Sequence, residues 1–255
     1  MKRTLVTVLG SAALLLVVSS TAKADAILSL QNGATLLSCN TSIAFSAVNC
    51  GAGFNAVLGG NEIEFAGGVG GYAVFDIELT SNSPGNPLLG FATDTKTAIG
   101  NLSAGATALI VSFAVNNFTL PAGSPLTLSA AQSATFISAS AGSSQAFTGF
   151  ANAANTLATA IGTAVGTSDC VNPAAAPPAN ACSEAGIPTL FVRAGNFALN
   201  GVETINLNQG GIANFQGSVA VTPPIPDVPE PGSLVLLATG LFGLVGSRRA
   251  FRRKA

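Results

Sequence analysis

The chain contains no histidine and no tryptophan, a single tyrosine (Tyr72) and few charges, with Asp, Glu, Lys and Arg together making up 8% of its 255 residues. Without an imidazole, neither a Ser-His-Asp nor a Cys-His nucleophile can be assembled, and no His-bearing metal centre can form. Carboxylate pairs do occur at Glu62/Glu64 and Asp76/Glu78, a spacing that puts each pair on one face of a strand. Two acids can serve a glycosidase, but a chain without tryptophan has almost none of the aromatic platforms on which sugars stack. The pairs therefore read as solvated strand faces. No DxDxDG calcium loop is present, and the acids are otherwise scattered. Gly67-Gly68-Val69-Gly70-Gly71 carries no lysine and runs into a strand pattern rather than a helix, which removes a phosphate-loop reading. No catalytic residue, metal or cofactor is expected, and the chain reads as a non-enzyme.

The charges that exist are unevenly placed. Lys2, Arg3 and Lys23 lie near the start, and Arg248, Arg249, Arg252, Arg253 and Lys254 near the end. Between Asp25 and Pro229 there remain Lys96 and Arg193 against ten acids, so this body is close to −8. A body with two cations cannot neutralise a run of phosphates, and nucleic acid is excluded as a partner.

At the start, Lys2 and Arg3 precede an apolar run from Leu5 to Val18 and a small-x-small site, Ala22-Lys23-Ala24. This order is that of a secretory signal peptide, placed at residues 1–24 and set aside from fold reasoning. At the end, Val228-Pro229-Glu230-Pro231-Gly232 leads into an uncharged run from Gly232 to Ser247 and then the basic cluster. The run of 16 residues would reach roughly 24 Å as a helix, short of a hydrocarbon core of about 30 Å. The cations hold its far end in the cytoplasm, which puts everything before Val228 on the outside.

The tail resembles the PEP-CTERM sorting signal of Gram-negative bacteria, in which a Val-Pro-Glu-Pro-like motif, a short membrane segment and a terminal Arg-rich cluster are recognised by a membrane protease/transpeptidase, the exosortase. The matching positions are Val228, Pro229, Glu230, Pro231 and Gly232, the apolar segment 232–247, and Arg248, Arg249, Arg252, Arg253 and Lys254 within a tail 248–255. The resemblance implies an exosortase-type partner and an inner-membrane-anchored precursor with its body in the periplasm. Processing near the motif and delivery to the cell surface or an exopolysaccharide (biofilm) matrix would follow. It covers about a tenth of the chain and implies nothing about the fold of the body, residues 25–222. Pro223, Pro224, Pro226, Pro229 and Pro231 make 223–231 an extended spacer.

Four cysteines fall in the body: Cys39, Cys50, Cys170 and Cys182. In an oxidising compartment they read as two disulfides, and the local pairs Cys39–Cys50 and Cys170–Cys182 are preferred because each closes a short loop. No CxxC spacing points to a metal.

The remaining pattern is that of strands. Asn32-Gly33 and Asn200-Gly201 read as hairpin turns. Ala73, Phe75, Ile77 and Leu79 alternate with Val74, Asp76, Glu78 and Thr80, which reads as a half-buried strand with its acids on the wet face. Leu109, Val111, Phe113 and Val115 alternate likewise, and the phase shift at Asn116-Asn117 calls for a bulge or a turn. Ile212 to Val221 forms a last strand. Phe150, Ala154, Leu157, Ile161 and Val165 recur at helical spacing, which leaves room for one short helix against the Thr and Gly residues between them. The fold class expected is mainly β: an antiparallel β-sandwich-like exported domain with one such helix at most, plus a C-terminal transmembrane helix. Two functions remain open. One is a non-catalytic surface or matrix protein, and the other is a binding module for polysaccharide, calcium or ice. The threonines show no regular register of the kind an ice face would want.

Overall fold

The computed structural model describes residues 24–42, 50–56, 62–105, 107–173 and 180–224. The signal peptide, the residues from 225 onward and with them the sorting motif, the membrane segment and the basic cluster lie outside the described residues. What is described is all β. In chain order the strands are β1 (Ala26–Asn32), β2 (Thr35–Asn40), β3 (Phe54–Ala56), β4 (Glu62–Val69), β5 (Tyr72–Ser81), β6 (Gly90–Asn101), β7 (Leu109–Phe118) and β8 (Leu126–Phe136). They continue with β9 (Ser144–Asn152), β10 (Thr163–Gly166), β11 (Cys170–Val171), β12 (Asn180–Ala185), β13 (Thr189–Phe191), β14 (Phe197–Asn206) and β15 (Ile212–Thr222).

Two antiparallel sheets face each other. The first has the order β10-β9-β14-β7-β1-β2, with β11 also on β9, and the second β12-β8-β15-β6-β5-β4-β3, with β13 also on β8. Period-two alternation decides which side of each strand is buried. In β8 every second residue from Leu126 to Phe136 is buried, and β1 buries Ala26, Leu28 and Leu30. The core is filled by these side chains with Leu109, Val111, Phe113 and Val115 of β7 and with Phe147, Leu199, Ile205 and Val219. Phe113 and Phe147 stack at 6.2 Å between ring centres, and Phe118 and Phe197 at 5.4 Å.

The Asn32-Gly33 turn is present, with Asn32 opposite Thr35 and Gly33 at φ +58°. Asn32 is buried there, because its amide donates to the Thr107 and Ala108 carbonyls while its Oδ1 accepts the Gly71 N–H. The phase shift at Asn116-Asn117 is a bulge: Asn117 has φ +63°, and pairing of β7 with β14 slips between Phe197 and Leu199. Both expected disulfides are formed, Cys39–Cys50 and Cys170–Cys182. The second joins β11 of one sheet to β12 of the other.

Three sequence expectations are corrected. Asn200-Gly201 is no hairpin, since β14 runs unbroken through it and Gly201 pairs with Phe113 on one side and Gly149 on the other. A Cβ on Gly201 would lie 2.6 Å from the Phe113 ring and 2.8 Å from the Phe147 ring, so the glycine makes room for two phenylalanines rather than for a turn. The helical spacing from Phe150 to Val165 forms no helix: it is the end of β9, a loop, and β10. Asn155, Ala160 and Gly162 all have positive φ, which a helix cannot hold, and Asn200 donates to the Ile161 carbonyl to pin the loop on the sheet. Phe75 is 74% exposed instead of buried. Pairing of β5 with β6 keeps one register and leaves out only the facing pair Phe75 and Ala98, the latter at φ +50°. The slips lie on the outer sides, between Phe65 and Gly67 of β4 and between Ala213 and Phe215 of β15, and the inward phase of β5 passes there from Tyr72 and Val74 to Ile77 and Leu79.

Candidate functional site

The carboxylate pairs singled out in the sequence meet on one side of β4 and β5. Glu64 lies directly opposite Glu78, Glu62 is two residues along β4, and Asp76 two along β5. All four are partly exposed, and Glu64 accepts a hydrogen bond from the Asn55 amide at 3.0 Å. Partial burial first, and then Glu62, Asp76 and Glu64, push the Glu78 carboxyl above its usual range. This is a wet acidic face.

The unusual chemistry is inside. Asp94 and Lys96 alternate with Thr93, Thr95 and Thr97 along β6, and the acid and amine, not the threonines, point into the sandwich. Lys96 Nζ lies 2.7 Å from Asp94 Oδ2 and 2.5 Å from Glu203 Oε2, and none of the three side chains is solvent-exposed. Glu203 comes from β14, in the facing sheet. Asp94 Oδ1 accepts the Gly217 N–H at 3.0 Å, and Glu203 Oε1 accepts the Gln145 amide at 2.9 Å. The same Gln145 amide donates to the Gln216 carbonyl, and Gln132 donates to the carbonyls of Gln145 and Ser168, extending the polar chain across β8, β9 and β15.

One cation between two carboxylates, all dry, is an unbalanced set. Removing each ion from water costs several kcal/mol, so the cluster takes up a proton instead. Burial drives the Glu203 carboxyl up to about 7; the Lys96 ammonium opposes this and the Asp94 carboxylate adds to it. Burial alone would lower the Lys96 ammonium, but Asp94 and Glu203 together outweigh it and hold it above its ordinary value. With Glu203 protonated, Lys96 and Asp94 are left as a one-to-one pair.

Sequence reasoning counted Lys96 and Glu203 only as charges. In Thr93-Asp94-Thr95-Lys96-Thr97 both faces of the strand are polar, so alternation does not say which one is buried. The available signal was that Lys96 is the single lysine of the body, two residues from an acid and between Ala92 and Ile99. The other body cation, Arg193, donates to the Thr119 carbonyl at 2.9 Å and lies 5.2 Å over the Phe197 ring. Both cations among the described residues are thus engaged within the fold.

Two surface features complete the description. The outer side of β6, β15 and β8 carries Thr95, Thr97, Ser133, Thr135, Asn214 and Gln216 around a shallow pocket of about 240 Å³. A second pocket, about 350 Å³ and apolar, is bordered by Phe75, Leu102 and Ile212 beside the Phe75–Ala98 position.

Residues 227–254 match the PEP-CTERM protein-sorting motif. No curated protein matches the chain. A solved structure described as "Structure of infectious bursal disease virus Gx strain" aligns with 85% of this chain and 71% of its own at 11% identity and a TM-score of 0.21, and at that level nothing about this chain follows from it. The motif match coincides with the segment that carries Val228 to Gly232, the apolar run and the basic cluster. The tail is therefore a PEP-CTERM sorting signal, which implies an exported, membrane-anchored precursor that exosortase processes in a Gram-negative bacterium.

Proposed function

We propose that the chain is a non-catalytic protein of the cell surface or exopolysaccharide matrix, whose disulfide-stapled β body is the delivered part. The sorting motif at 227–254 carries this reading. The absence of histidine from the sequence supports a structural rather than a catalytic body. The roles assigned are recognition by exosortase at Val228, Pro229, Glu230, Pro231 and Gly232, temporary anchorage by 232–247, and orientation by Arg248, Arg249, Arg252, Arg253 and Lys254. Replacing Glu230 and Pro231 by alanine in the native host tests it: the precursor should accumulate in the inner membrane and vanish from surface and matrix fractions. Delivery of the variant at wild-type level would contradict the proposal.

Matrix polysaccharide is the partner proposed for the body. The observation that favours it is the uncharged Thr95, Thr97, Ser133, Thr135, Asn214 and Gln216 surface, a set of hydroxyl and amide groups suited to hydrogen-bonding a neutral glycan. Co-sedimentation with exopolysaccharide from the host should be lost when Thr95 and Gln216 are both replaced by glutamate. Equal sedimentation of that variant would remove this surface from the account.

A further inference from the structure

The Lys96 cluster has a geometry that an ordinary ion pair does not need. Nζ approaches Oδ2 of Asp94 and Oε2 of Glu203 at 2.7 and 2.5 Å, and it bonds no polar neighbour besides these two oxygens. The two remaining carboxyl oxygens are each fixed by a donor, Oδ1 by the Gly217 N–H and Oε1 by the Gln145 amide. An amine is thus held against a carboxyl group inside a fully buried site, with a second carboxyl beside both. Such positioning is what makes an intramolecular condensation fast relative to the same groups in water.

We propose that Lys96 and Glu203 condense to an amide that ties β6 of one sheet to β14 of the other, with Asp94 moving the protons. The reaction starts from the Lys96 ammonium, the Asp94 carboxylate and the protonated Glu203 acid. Asp94 Oδ2 takes one proton from Nζ, an uphill transfer because the two carboxyls hold the Lys96 ammonium above its ordinary value, with burial of the amine working in its favour. The Nζ lone pair forms a bond to Glu203 Cδ while the carbonyl π pair moves onto Oε1, where the Gln145 amide donor stabilises the developing charge. Asp94 returns its proton to the Oε2 hydroxyl, which leaves as water, and takes a second proton from Nζ as the carbonyl reforms. The products are a secondary amide, one water and a protonated Asp94. Atoms and charge balance, and no oxidant, metal or nucleotide is required.

Glu203 is the acylated partner and Asp94 the proton carrier for a chemical reason. A carboxylate is a poor electrophile, and burial keeps Glu203 in its acid form to higher pH than an ordinary glutamate. Asp94 acts through its position beside Nζ. For a protein delivered outside the cell the bond would do at the centre of the sandwich what Cys170–Cys182 does at its edge, but without sensitivity to reductants. It turns over once and makes the chain no enzyme.

The sequence provides its own assay. Between residues 24 and 247 trypsin has two sites, Lys96 and Arg193, and Glu203 lies beyond the second. The full chain, recovered from its host, is denatured, reduced, alkylated, weighed and digested. The proposal predicts a mass lower than that of the sequence by one water. It also predicts no cut after Lys96, and a cut after Arg193 that fails to separate the two parts because the amide joins them. Three separate fragments would overturn it. Two separate fragments with Lys96 uncut would place any amide elsewhere, at Asp94 for example, and overturn the assignment to Glu203. Asp94→Asn should retain the water and give three fragments. If this variant closes as completely as the wild type, Asp94 is not the proton carrier. Should it fail to fold, the wild-type digest still decides. Sorting and cross-linking are read separately, since a mislocalised chain still shows or lacks the amide.

Discussion

Replacing Gly201 by alanine adds one carbon at the centre of the sandwich. That carbon would sit 2.6 Å from Cε1 and Cζ of Phe113 and 2.8 Å from Cε2 of Phe147, against a comfortable carbon–carbon separation of about 3.5–4.0 Å. Neither ring has anywhere to go, as both are essentially unexposed and stacked on each other. Overpacking of this kind costs about 1–3 kcal/mol, while the smaller conformational freedom of alanine in the unfolded chain returns about 0.4–1 kcal/mol. Backbone strain adds nothing, because Gly201 is not among the positive-φ residues. The net expectation is a loss of roughly 1–2 kcal/mol, or a Tm lowered by about 3–6 °C for a body of this size. Urea titration of the purified body, repeated in a Phe113→Leu background, measures it. Leucine lacks the ring atoms that the new carbon meets, so the second substitution should recover about 1 kcal/mol as coupling. A Gly201→Ala loss of the same size in the Phe113→Leu background as in the wild type, or no loss in either, would refute the close-packing explanation.

Other perturbations follow from the same structure. Replacing both Cys170 and Cys182 by serine should cost about 3 kcal/mol by the loop-entropy estimate, and adding a reductant to the wild type should produce a loss of the same sign. Lys96→Met leaves the Asp94 and Glu203 carboxyls buried with neither the amine nor its amide opposite them and should destabilise the body by at least about 3–5 kcal/mol in urea, the cost of breaking a buried pair. Glu78→Gln should stabilise by roughly 0.3–1 kcal/mol at neutral pH by relieving like charges across β4 and β5. Because the folded-state Glu78 carboxyl is raised, its penalty is absent at low pH, where it is protonated both folded and unfolded, and appears as pH rises from the unfolded into the folded titration. The gain should therefore vanish in acid and shrink at high salt; a gain unchanged by either would exclude an electrostatic cause.

Where side chains alternate between apolar and polar, the sequence was legible. Leu109 to Val115 and Ile212 to Val221 fall on the strands expected, and the Asn32-Gly33 turn forms with its glycine at positive φ. Asn200-Gly201 has the same two letters and a different cause. Its glycine answers to Phe113 and Phe147, which come from other strands, and no local pattern reports a partner about 50–90 residues away. The Phe150–Val165 spacing failed for a related reason, since Asn200 and Asn152 hold the intervening loop through hydrogen bonds and the helical repeat had no helical contacts to satisfy. At the buried cluster, composition showed Lys96 and Glu203 but not their proximity, because 107 positions of chain separate them and only the facing of β6 and β14 brings them together. The sorting signal was legible because it is a linear sequence motif rather than a feature of the fold.

Export followed by processing at the Pro-Glu-Pro motif is read out by the intact mass of the protein in envelope and medium fractions of its native host. The product should lack residues 1–24 and the segment beyond the motif, with any added mass on the new C-terminus identifying the group attached there. A product that keeps Arg248 to Lys254 and stays in the inner membrane would contradict it.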